Sequence, residues 1–120
     1  MAISITGGSV SPSTAFSLNA QTGTTYTFVL TDANNTLVTA SNASAQTYTI
    51  PPNSSVAYPV GAQLNIIQIG AGQVSFAQGA GVTIASNGGT STAPKLRTQY
   101  SSASAIKVAT DTWYVVGDIS

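Results

Sequence analysis

From Ala33 to Pro94 the chain runs 62 residues without an Asp, Glu, Lys, Arg or His. Charges, lysine above all, are the usual guard of an exposed strand edge. A chain that omits them either aggregates or covers its edges with a partner. The expectation is therefore a subunit of a symmetric assembly. The rest of the chain hardly changes the balance. Charged residues are 5% of 120, against roughly 25% in ordinary domains. Lys95, Arg97 and Lys107 offset Asp32, Asp111 and Asp118, for a net charge of +0.

Glu, His and Cys are absent, which excludes Cys/His zinc or iron–sulfur sites, disulfides, and catalysis through His or Cys. Three cations cannot make a nucleic-acid footprint. No apolar run approaches the ~18 residues of a membrane span. The N-terminus, Met1 to Gly8, lacks the charged-then-apolar pattern of a secretory signal. The expected product is soluble and made without secretion, and its partners include neither nucleic acid nor membrane.

Apolar residues at 42% suffice for one core. Thr and Ser number 17 and 16, and strong helix formers are scarce. Thr, Val, Ile and Tyr suit a pleated sheet, and Ser, Asn and Gly supply its turns. The reading is all-β: a single antiparallel sandwich or barrel-like domain of short strands over 24–120, preceded by an extended arm or short edge strand over 1–23. Expected strands are Thr24–Thr31, with Tyr26, Phe28 and Leu30 on one face, then Leu37–Ala40, and Gln46–Ile50 with Tyr48 and Ile50 inward. Gln63–Ile69 slips its alternation at Ile66-Ile67, implying a bulge or burial on both faces. Gly70-Ala71-Gly72-Gln73-Val74 and Gly79-Ala80-Gly81-Val82 lie nine residues apart. Two copies are few for a solenoid, so consecutive hairpins are expected. Lys95–Tyr100, Ala105–Ala109 and Thr112–Val116 close the chain.

Catalysis finds little material. Asp111-Thr112-Trp113 lacks the glycine of an aspartic-protease turn. Asp111 and Asp118 sit ~20 Å apart along a strand, too far for a glycosidase pair. Asp32 reads as a turn cap. Asp32, Asn34 and Asn35 cluster oxygen atoms, but a single charge binds calcium weakly. No catalytic, cofactor or metal site is assigned. Sequons at Asn34, Asn42 and Asn53 matter only in a secreted eukaryotic product. The aromatics are read as core, with Tyr58 and Tyr114 the weakest assignments and Trp113 the anchor.

The stretches Tyr26–Ala33, Ile50–Gly61, Gly70–Val74 with Gly79–Ile84, Leu96–Ser101 and Asp111–Asp118, in that order, resemble a β-rich domain recurrent in tailed-bacteriophage virion proteins of tail-fibre and head-decoration type. That resemblance spans about four-fifths of the chain and implies a non-enzymatic structural component of a virion, made in the host cytoplasm, without cofactors. About 23 residues precede the domain, short for a fibre's stalk and attachment segment. A capsid decoration (cement) protein is therefore expected, attached as a homotrimer to the phage major capsid protein or another virion protein, with the arm as the attachment segment. The alternative is a tail-fibre or host-receptor module that binds a surface glycan. Arg97 is expected to pair with an Asp of the terminal hairpin.

Overall fold

A computed structural model describes residues 15–87 and 91–120. Among these residues nine strands form: β1 (Ser17–Gln21), β2 (Thr25–Thr27), β3 (Thr36–Ala40), β4 (Gln46–Ile50), β5 (Gln63–Gln68), β6 (Val74–Gln78), β7 (Thr83–Ser86), β8 (Ser102–Ala109) and β9 (Thr112–Gly117). They make a six-stranded sheet ordered β1-β3-β5-β8-β9-β7 and a three-stranded sheet ordered β2-β4-β6. The protein is all-β.

Period-2 alternation places the core. In β3 the inward side chains are Thr36, Val38 and Ala40, in β4 Gln46, Tyr48 and Ile50, and in β5 Leu64, Ile66 and Gln68. Both sheets contribute to one apolar cluster that also holds Phe28, Phe76, Ile84, Trp113 and Val115.

The pairing differs from the antiparallel expectation. β1, β3 and β5 are parallel, as are β2, β4 and β6, and β7 lies parallel to β9; among the described strands only the β5–β8 and β8–β9 pairs are antiparallel. The cause is the corner chemistry. After β1, β3 and β5 a short bend carries the chain into the other sheet instead of back along the same one. Each return strand then serves as the crossover that parallel neighbours require. Three successive strand pairs, β1/β2, β3/β4 and β5/β6, stack as turns of a coil, and the β8–β9 hairpin closes its far end.

The glycine repeats are corners of this coil and not hairpins. β6 and β7, which follow the two repeats, lie in different sheets. A side chain at Gly72 would run into the carbonyl of Ser44, and one at Gly70 into the backbone of Asn42. The Gly70–Gly72 bend therefore nests directly on the Asn42–Ser44 bend of the turn before.

Other boundaries shift. The expected Thr24–Thr31 strand ends at Thr27, and Leu30–Ala33 is a 3-10 turn. Asp32 causes this by accepting the Val29 N–H at 2.9 Å, which leaves Leu30 exposed. No bulge interrupts Ile66-Ile67, whose pairing is continuous on both sides; Ile67 is half-buried, and the register shift falls at Lys107/Ala109. Lys95–Tyr100 is not a strand, since only Lys95 and Leu96 make isolated bridges. The division at 23/24 does not separate arm from sheet. Ser17–Gln21 pairs in register with β3 as the edge strand, while residues 1–14 of the expected arm lie outside the described residues.

Candidate functional site

The outward side of the six-stranded sheet is where the scarcity of charge becomes a surface. With Val38, Leu64, Ala105, Trp113 and Ile84 pointing in, alternation turns the intervening residues out. Register aligns them in rows. One runs Leu18–Leu37–Asn65–Ser104–Val116, a second Ala20–Thr39–Ile67–Ser102, and a third Gln63–Ile106–Tyr114–Ala85. No charged residue occurs in any row. Leu18 is 72% exposed, Val116 53% and Tyr114 50%. At the centre Asn65 Oδ1 accepts from Ser104 Oγ (2.7 Å) and Gln63 Nε2 (2.8 Å), so the polar groups there are largely mutually satisfied.

The charges sit elsewhere. Lys107 points inward and is buried. Arg97 and Asp118 form a two-pronged pair, Nε to Oδ1 at 2.7 Å and Nη2 to Oδ2 at 2.9 Å, as expected for that arginine. The pair, with the Ser101 hydroxyl donating to Asp118 Oδ2 at 2.7 Å, holds the Asp118 carboxyl below its ordinary range. Both side chains are well exposed, at 60% and 45%, so its contribution to stability is small.

The sheet edges are treated unequally. On β7, the Ile84 N–H is taken by Gln78 Oε1 at 2.8 Å. Beside β6, Pro94–Leu96 accepts the Phe76 N–H and donates to the Val74 carbonyl. β1 has no such guard among the described residues. Ser17 N–H bonds Asn35 O and Ser41 N–H bonds Gln21 O, which by parallel alternation turns the N–H and C=O of Leu18 and Ala20 away from β3. Among the described residues, an uncharged, unpaired edge thus borders the uncharged face.

The residues weighed for chemistry do not converge. Asp32 is buried, and its oxygens accept from Asn19 Nδ2 (2.8 Å), the Tyr26 hydroxyl (2.7 Å) and the Val29 N–H. It is a structural cap, and burial followed by the Asp32 bond pushes the Tyr26 phenol up to about 12. Asn34 closes the 3-10 turn through its backbone, and Asn35 takes a left-handed conformation (φ 52°) and donates to Ala15 O. Asp111 occupies the β8–β9 turn, and Asp118 pairs with Arg97. No group of three or more His, Cys, Asp or Glu gathers among the described residues. Of the doubtful aromatics, Tyr58 is buried and Tyr114 exposed. Trp113 is 1% exposed and meets Tyr58 edge-on at 5.3 Å.

No protein-family model matches the chain, and no curated protein matches it.

Proposed function

We propose that this chain is a non-enzymatic structural subunit of a tailed-bacteriophage virion, a capsid decoration protein that assembles as a homotrimer. The observation that carries the reading is the charge-free outer face of the six-stranded sheet, continuous with the unguarded β1 edge. Six strands ~4.8 Å apart and four to eight residues long present on the order of 450 Å². A stable interface takes roughly 800 Å² per partner, so the face alone is about half of one. The N-terminal segment, which carries no ionisable side chain, supplies the remainder by adding contact to the shell or a neighbour. Closing copies into a ring covers the β1 edges without leaving a free end for filament growth. With no ionisable side chain before Asp32, attachment through this segment is nearly independent of salt.

The test is antibody labelling of the phage particles that carry the protein, viewed by electron microscopy. Label over the head supports decoration, and absence of label from every part of the particle overturns the virion reading. A second reading, a tail-fibre or receptor module for a host glycan, draws on exposed Tyr114, which with Val116 and Ala85 lines an apolar depression of about 280 Å³. Label at the tail tip, with glycan binding lost in Tyr114→Ala, would favour it.

A further inference from the structure

One of the three cations of this chain lies inside it. Lys107 is 3% exposed, a placement lysine almost never takes unless paired. Its Nζ donates to two neutral oxygens, Asn53 Oδ1 and the Tyr58 carbonyl, each at 2.7 Å. No carboxylate reaches it in a salt bridge among the described residues, where the ion pair is Arg97–Asp118. The nearest acid in the network, Asp111, instead accepts the Asn53 backbone N–H at 2.6 Å. A buried ammonium without a counter-charge is costly. A side-chain amide in its place is not.

We infer that Lys107 and Asn53 join in an intramolecular isopeptide bond. With Nζ 2.7 Å from Oδ1 and a C=O bond of ~1.23 Å, Nζ lies no more than ~3.9 Å from the Asn53 carbonyl carbon, close to the spacing at which bound groups react. Both partners are held. Pro51-Pro52 stiffens the approach to Asn53. The Lys107 backbone donates to Ala62 O and accepts from Gly61 N–H. Lys107 is the cross-strand neighbour of Trp113, whose ring packs on Tyr58, so one side of the pair is walled by buried aromatics.

In the step, Nζ first gives its ammonium proton to solvent, the free amine adds to Cγ of Asn53, and the carbonyl electrons move to Oδ1. A proton passes from Nζ to the departing Nδ2. The carbonyl re-forms and Nδ2 leaves as ammonia. One C–N bond forms and one breaks, with no oxidant or reductant. Asp111 is a positioning residue here: it touches the Asn53 backbone and not the reacting carbon.

The intact mass of the purified full chain tests this. It is expected to fall short of the sequence mass by one ammonia. Trypsin is expected to release residues 1–95 covalently joined to 98–120, because an amidated Lys107 is no longer cleaved. Lys107→Met, which keeps the volume without the amine, should show the full sequence mass and migrate more slowly in a denaturing gel. Asp111→Gly, which tolerates the same left-handed turn (φ 56°) but removes the acceptor of the Asn53 N–H, should form the bond more slowly after refolding. A wild-type chain at full sequence mass with Lys107 cleaved overturns the inference. So does a one-ammonia deficit with Lys107 still cleaved, since a cyclised Asn53 imide loses the same mass without a cross-link.

Discussion

Raising the pH above 10 should unfold this protein through its tyrosines. Tyr48 is fully buried and its hydroxyl lacks a hydrogen-bond partner among the described residues. Burial pushes it from 10.0 up to about 12. Tyr58, also buried, donates to the Val29 carbonyl at 2.9 Å, and is raised by burial first and then by the charge of Asp32. Both folded-state values lie above the unfolded ones. Their stabilising contribution is therefore complete below pH 10 and is lost as pH climbs through the folded values. Each phenol that keeps its proton only in the folded state removes ~1.4 kcal/mol per pH unit. Over the two units from 10 to 12 the pair removes about 5 kcal/mol, comparable with the whole stability of a small domain, roughly 5–15 kcal/mol. Circular dichroism and Trp113 fluorescence, followed against pH with tyrosinate absorbance, should show one coincident transition in that window. Tyr48→Phe should move it to higher pH and, by removing an unsatisfied buried hydroxyl, leave neutral-pH stability equal or greater. Tyrosinate absorbance rising fully by pH 12 in a chain that stays folded would refute the reasoning, as would an unmoved transition in Tyr48→Phe.

Trp113→Ala should lower stability by about 3–5 kcal/mol in urea unfolding, because its ring is buried against Tyr58, and soluble assembly should be lost with it. Gly72→Ala places a methyl on the Ser44 carbonyl and should cost about 1–3 kcal/mol by thermal melting; Gly81→Ala, with open space around its Cβ but a φ of +77°, separates backbone strain from this clash. Gln78→Ala frees the Ile84 N–H at the β7 edge and should increase concentration-dependent light scattering. A chain beginning at Ala15 should fold with near-normal melting yet fail to decorate particles; one beginning at Thr24 loses β1 and exposes the β3 edge.

Strand positions were legible because alternation reports burial. Gln46–Ile50 reads as a strand with Tyr48 and Ile50 inward, and both are fully buried. Pairing direction was not legible, because a period of two is the same in parallel and antiparallel ladders. The coil does leave a trace. Tyr26, Tyr48 and Phe76 are register neighbours, and Val38 pairs with Ile66 at the same 28-residue offset that relates Tyr48 to Phe76. The first turn is shorter, 22 residues from Tyr26 to Tyr48, so no fixed period announces the repeat. The nine-residue glycine spacing marks successive corners of the chain, β5 to β6 and β6 to β7, and not equivalent corners of two turns. The buried Lys107 was beyond sequence reading for a different reason: Asn53 and Tyr58 reach it from a loop about 50 residues away, and nothing local marks the contact. The uncharged surface was foreshadowed by composition, although only the sheet register could gather Leu18, Leu37 and Val116 into one row.

Native mass spectrometry of the chain at micromolar concentration bears on assembly through the charge-free face. The wild type should appear at the mass of three 12.1 kDa chains, unchanged between about 0.05 and 0.5 M salt because no charge pairs hold it. Val116→Lys, which sets a cation on the exposed face without touching the core, should appear at the mass of one. A wild-type protein that remains a single chain throughout would contradict the account.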